Sequence, residues 1–126
     1  MKSIRAQRGG RRGRGDLGED IACQFLSSRG YEILFRGWTC RFGEIDIVAR
    51  AGDGIVAFVE VKTAFSDEAG DPGNWITPTK RLRLCRTATA WLVEHDAMDR
   101  EARFDLLLVR GGVPEHIEDA FPYLEG

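Results

Sequence analysis

The sequence predicts a mixed α/β domain with a β-hairpin at its centre. Two stretches with helical periodicity bracket three strand-like runs, and one or two more strands follow. The turn Gly52-Asp53-Gly54 separates two strongly apolar runs, which is the signature of a tight hairpin. The length of 126 residues suits one such domain with its own core.

Asp16 caps a helix running to about residue 29. Leu17, Ile21, Ala22, Phe25 and Leu26 recur at helical spacing as one apolar face. Gly18 lies in that face and permits close packing on a sheet, Glu19 falls at its edge, and Asp20 points away. Gly30 closes the helix. Residues 31–36, 44–50 and 55–62 read as strands, and 66–76, rich in Gly, Asp and Pro, as a loop. Thr77 followed by Pro78 opens a second helix to about His95, with a hydroxyl cap before proline at the first helical position. Its expected apolar stripe is Leu82, Cys85, Thr89, Leu92 and Val93. Residues 104–110 form another strand and 115–117 a short last one.

The hairpin register carries the chemistry. A three-residue loop with Gly54 in the left-handed position pairs Ala51 with Ile55. Continued down the ladder, it sets Asp46 opposite Glu60 and Glu44 opposite Lys62, with Cβ atoms about 5 Å apart. Alternation then places these four charges on one face. The other face (Ile45, Ile47, Ala49, Ile55, Ala57, Val59, Val61) is wholly apolar. Val48, Val56 and Phe58 make the charged face apolar near the turn, so the hairpin is buried on both sides there. Opposed acids repel each other, and a divalent cation would reverse that repulsion. An exposed strand end with a Glu44–Lys62 surface ion pair would give the same pattern. Lysine is scarce: three against 15 arginines, with only Lys62 and Lys80 beyond the N-terminal arm.

The formal charge of −2 hides an asymmetry. Residues 1–14 carry six basic side chains (Lys2, Arg5, Arg8, Arg11, Arg12, Arg14) and no acid, which leaves residues 15–126 at −8. Residues 1–15 therefore read as a flexible Arg/Gly arm suited to a polyanion, or as a solubilising tail, and residues 16–126 as the folded domain. No apolar run approaches a membrane span of about 18 residues, and the first residues lack the hydrophobic stretch of a secretory signal. Three cysteines without a C-x-x-C pair and two histidines support neither a disulfide framework nor a Cys/His zinc site. A cytoplasmic protein with reduced thiols is expected. Cys23 and Cys85 are expected in the core, His95 and His116 at the surface or a helix end, and Trp91 at a helix edge. Trp75, in the polar loop, is the tryptophan best placed to stack on a base.

Asp46 followed by Glu60-Val61-Lys62 on the next strand resembles the PD-(D/E)XK motif of restriction-endonuclease-like nucleases. The flanking text is more specific: Gly18-Glu19-Asp20, Gly43-Glu44-Ile45-Asp46, Phe58-Val59-Glu60-Val61-Lys62, Lys80, Arg103-Phe104-Asp105 and Ala120-Phe121. Together they resemble the YraN family, small bacterial proteins of uncharacterised function assigned to that superfamily and similar to archaeal Holliday junction resolvases. The resemblance spans about residues 15–124. It implies a central mixed sheet flanked by helices, with Asp46 and Glu60 holding Mg²⁺ (or Mn²⁺), aided by the Val61 carbonyl. It also implies that Lys62 orients the attacking water and that Glu19 completes the metal site. The sequence departs from the family pattern at Ala64, where arginine is usual, and at Gly37, where asparagine is usual.

The function expected is metal-dependent endonucleolytic hydrolysis of structured DNA, with RNA as an alternative substrate, no membrane, and a homodimer suggested by the resolvase likeness. Lys80, Arg83 and Arg86, at i, i+3 and i+6, form a basic stripe that serves as a phosphate track. Glu44 and the arm residues Arg8, Arg11, Arg12 and Arg14 are the other substrate-facing candidates. No motif reads bases, so selection by nucleic-acid shape is expected. The alternative is a nucleic-acid-binding or adaptor domain that keeps the nuclease fold without turnover.

Overall fold

Apolar runs and turn residues together wind the chain into one mixed sheet whose spatial order follows the sequence. The computed structural model describes residues 7–8, 14–64 and 76–123. The elements are β1 (Gln7–Arg8), α1 (Arg14–Ser28), β2 (Glu32–Cys40), β3 (Gly43–Arg50), β4 (Val56–Ala64), α2 (Pro78–Glu94), β5 (Ala102–Arg110) and β6 (Val113–Phe121). The two-residue β1 lies parallel to β2 at one edge. Strands β2, β3 and β4 form an antiparallel meander, β4 and β5 run parallel, and β6 returns antiparallel to β5. A parallel neighbour needs a crossover, and α2 is that crossover. The expected loop lies outside the described residues except for Ile76, as does most of the basic arm.

Two core layers occupy the two faces of the sheet. Alternation along β4 divides them, with Val56 and Phe58 facing one way and Ala57 and Val59 the other. The first layer packs on Leu84, Cys85, Ala88, Trp91 and Leu92 of α2, and the second on Ala22 and Leu26 of α1. Ile45, expected beside Ile47, instead joins the α2 layer.

Helix α1 meets the sheet along Gly18, Ala22 and Leu26, a ridge at spacing four, while Leu17 is 67% exposed and so leaves the expected apolar face. Gly18 lets the helix approach: a Cβ there would lie 2.1 Å from Thr63 Oγ1 on β4. Gly30, at φ +88°, ends the helix while Tyr31 N–H returns to the Leu26 carbonyl at 3.0 Å.

Helix α2 starts as expected, with Thr77 Oγ1 accepting from Lys80 N–H at 3.2 Å and Pro78 at the first turn. Its buried stripe is rotated from the expected one. Leu84 and Trp91 are inside, Leu82 is half-buried and Val93 is 62% exposed. Trp91 sets this rotation: it packs edge-on against Phe35 and Phe58 and stacks on His95 at 4.3 Å. It belongs to the core rather than to a helix edge.

Strand β2 runs four residues past its expected end, through Gly37 at φ +63°. That left-handed conformation suits glycine and asparagine, so the departure at Gly37 keeps the local backbone accessible. Strand β6 is nine residues long rather than a short segment. Its irregular mix of apolar and polar residues, Pro114 and a positive φ at Asp119 hide it from periodicity. Among the described residues no helix is long and apolar enough to cross a membrane.

Candidate active site

The β3–β4 hairpin adopts the expected register. Ala51 N–H donates to the Ile55 carbonyl at 2.9 Å, Gly54 has φ +94°, and the ladder pairs Arg50 with Val56, Ala49 with Ala57, Val48 with Phe58 and Ile47 with Val59. There the ladder stops. The expected backbone pairs Asp46–Glu60 and Glu44–Lys62 do not form among the paired residues. In an unbroken ladder the Val61 N–H would go to the Ile45 carbonyl. Asp46 takes it instead: Oδ2 accepts from Val61 N–H at 2.9 Å. A side chain thus replaces a main-chain acceptor, and the two strands part at the acidic end.

A cavity of about 290 Å³ occupies the parting. Glu44, Asp46, Glu60 and Val61 supply its strand wall, and Lys80, Arg83 and Leu84 of α2 supply the other. Asp46 is 6% exposed and Glu60 is half-buried. The helix comes close because Gly43 lacks a side chain. At φ +149°, a Cβ would meet Arg83 Cδ at 3.1 Å and Thr87 Oγ1 at 3.3 Å. Thr87 is pinned there by its bond to the Arg83 carbonyl at 2.8 Å.

Of the residues singled out from sequence, Asp46, Glu60, Glu44, Lys80 and Arg83 share this cavity. Lys62 is exposed on β4 and does not line it. Glu19 is 6% exposed on the α1 side, with Arg36 Nη2 at 4.0 Å, and also stands apart from it. Arg36 makes its shorter pair, 2.7 Å, with Asp20. Arg86 lines a separate apolar groove of about 510 Å³ with Phe42 and Tyr123. The side chains of Arg8, Arg11, Arg12 and Arg14 and the whole of Trp75 lie outside the described residues. Among the described residues no group of three or more His, Cys, Asp or Glu side chains is arranged to hold a metal ion.

A second polar cluster escaped sequence reasoning. Asp105 is fully buried and accepts from Arg103 Nε at 3.0 Å, from the Asp119 N–H at 3.0 Å and from His116 Nε2 at 2.8 Å. Burial pushes its carboxyl up, but hydrogen bonds from His116, Arg103 and the Asp119 backbone outweigh this and hold it below the ordinary carboxylate value. An ionised acceptor fixes His116 as the N–H donor. The Arg103 guanidinium also donates to the Tyr31 hydroxyl, which reaches Glu118 at 3.3 Å. The His116 side chain, 8% exposed, is therefore a partner of the buried carboxylate rather than a surface group. His95, half-buried at the end of α2, contacts the Trp91 carbonyl at 2.8 Å. The signal for the Asp105–His116 contact is the β5–β6 register, which the expected three-residue strand was too short to reveal. Cys85 is buried, Cys23 and Cys40 are half-buried, and all three are free thiols.

The mixed sheet, the helices on its two faces and the carboxylates at the opened hairpin define an α/β protein consistent with a restriction-endonuclease-like core. Residues 18–109 match the model of the uncharacterised protein family UPF0102. Three relatives, each described only as a UPF0102 protein, show how far the likeness extends. One from Beutenbergia cavernae is 47% identical over 95 residues, 75% of this chain and 80% of its own. One from Myxococcus xanthus is 39% identical over 115 residues, 88% and 90% of the two chains. One from Pelobacter propionicus is 44% identical over 116 residues, 87% and 83%. The chain belongs to UPF0102, the YraN family.

Proposed function

We propose that this protein is a metal-dependent endonuclease that hydrolyses phosphodiester bonds in structured DNA, whether branched, nicked or end-containing. The observation that carries the reading is the meeting of Asp46 and Glu60 with Lys80 and Arg83 in one cavity at the parted end of the hairpin. Carboxylates alone would repel a phosphodiester, and cations alone would bind it without hydrolysis. The combination suits a phosphate together with a dication.

The donor chemistry fits Mg²⁺ or Mn²⁺. Asp46 and Glu60 offer hard carboxylate oxygens, with Glu44 on the same wall. Water and substrate oxygens would complete the coordination, as Mg²⁺ ordinarily requires. A cation held there would offset negative charge on the leaving oxygen. The protein's own part is positioning. Val61 N–H holds the Asp46 carboxylate in place, and Lys80 and Arg83 would bind phosphate oxygens across the cavity. Arg86 would extend the track beyond it, and the basic arm would hold the nucleic-acid backbone without reading sequence. A two-fold homodimer would present two such cavities to a branched duplex.

The test is cleavage over a panel of branched, nicked and flapped DNAs with Mg²⁺ or Mn²⁺, paired with metal titration calorimetry. Activity lost in Asp46→Asn and Glu60→Gln is expected. A filled metal site with no cleavage of any DNA or RNA structure would overturn the reading. The basic arm favours one alternative, a nucleic-acid-binding adaptor without turnover. Its mark is salt-sensitive binding that weakens without residues 1–14 while every substrate stays intact.

A further inference from the structure

We infer that Lys80 on α2, rather than Lys62 on β4, is the amine that acts at the reacting phosphate, an inference that rests on the nuclease reading above. Both lysines are exposed, but Lys80 lines the cavity with both carboxylates and Lys62 does not. Among the described residues the Lys80 ammonium forms no ion pair or hydrogen bond.

Its place on the helix points the same way. Lys80 is the third residue of α2, where the Thr77 cap would ordinarily be matched by glutamate. The first turn carries no acid. A cation there adds to the positive end of the helix dipole and works against helix stability. That electropositive end borders the cavity whose other wall holds Asp46 and Glu60. Arg83, one turn further on, is held beside it by the close approach at Gly43. A dianionic phosphorane-like charge distribution placed between these walls would meet the ammonium and the guanidinium on one side. In the hydrolysis itself, the water oxygen bonds to phosphorus as the ester P–O bond breaks. The proton lost by water is balanced, through solvent, by the one the departing oxygen gains. Lys80 offsets charge on the phosphoryl oxygens throughout.

The chain has three lysines, which makes them resolvable one by one after isotope labelling. Their side-chain NMR signals are assigned with Lys80→Arg and Lys62→Arg, and the protein is titrated with substoichiometric Mn²⁺. The Lys80 signal is expected to broaden most, and Glu60→Gln is expected to remove the effect. In single-turnover cleavage Lys80→Ala should lose about a hundredfold in rate, more than Lys62→Ala loses, while its Mn²⁺ affinity stays close to wild type. Stronger broadening of Lys62, or a larger rate loss in Lys62→Ala, overturns the inference and leaves the nuclease reading standing. Wild-type protein that binds Mn²⁺ yet cleaves nothing overturns the nuclease reading and the phosphate role with it. The absence of broadening at both lysines overturns the inference.

Discussion

Asp105 and His116 meet at 2.8 Å, a fully buried carboxylate and a ring nitrogen on adjacent strands β5 and β6. The contact spans an irregularity in that pairing, between Phe104 and Leu106, and Asp105 also holds the Asp119 N–H there. Arg103 completes the set, so one carboxylate fastens the turn after α1, the start of β5 and the edge strand β6.

Asp105→Asn is expected to destabilise the fold by about 3 kcal/mol, because it removes a buried charge from three donors, Arg103, His116 and the Asp119 N–H. The sign of its pH dependence follows from the lowered carboxyl. The stabilisation is fully present above the unfolded-state value of about 3.9, and it is lost as pH falls through the lower folded-state value. Urea denaturation should show wild type and variant far apart near neutrality and converging in strong acid. A gap that persists unchanged in acid would contradict this account.

Gly18→Ala tests the approach of α1 to β4. The new methyl would meet Thr63 Oγ1 at 2.1 Å, so a loss of about 1–3 kcal/mol is expected for overpacking. Thr63→Ala removes that oxygen and leaves the Thr63 Cβ at 3.4 Å, an ordinary contact. In the double variant the helix-propensity gain of alanine over glycine, about 1 kcal/mol, should emerge as net recovery. Thermal unfolding of the four proteins completes the cycle.

Asp46 can be divided into its structural and chemical parts. Asp46→Asn keeps an oxygen acceptor for Val61 N–H, so folding stability should stay near wild type while Mn²⁺ binding and cleavage fall away. Asp46→Ala also strands that N–H, at about 1–3 kcal/mol. Denaturation and calorimetry on both variants separate the two effects. Equal metal affinity in wild type and Asp46→Asn would remove Asp46 from the site.

Removal of residues 1–14 takes away six basic side chains. DNA affinity should fall and its salt dependence should flatten, by a slope of about 0.9 for each phosphate the arm no longer neutralises. Fluorescence anisotropy across a salt series measures this, and an unchanged slope would show that the arm does not touch the backbone.

The hairpin register was legible because loop length and two apolar faces determine it jointly: Ala51–Ile55 closes the turn and Ile47–Val59 follows without choice. The convergence of Asp46 and Glu60 came with it. The parting of the strands did not, since alternation counts residues and cannot foresee a side chain such as Asp46 outcompeting a carbonyl for Val61 N–H. The rotation of α2 puts Leu84 and Trp91 in the core in place of Leu82 and Val93, a difference that helical spacing alone does not resolve. Lys62 was read from its strand parity, but parity says only which side a side chain leaves from. Lys62 stays paired with Leu108 of β5 but lies past the last β3–β4 pair, Ile47–Val59, and is exposed there.

The contact at Gly43 has a consequence for how this cleft can vary. Acids on β3 and cations on α2 are spaced by main chain resting against an arginine stem, with no intervening side chain to trim. Even a single methyl group would press on the Arg83 stem and the Thr87 hydroxyl, on a backbone conformation that residues with a side chain rarely adopt, and would disturb the gap that a phosphate must bridge. The gauge of the cleft is thus written into a residue that contributes no chemistry of its own.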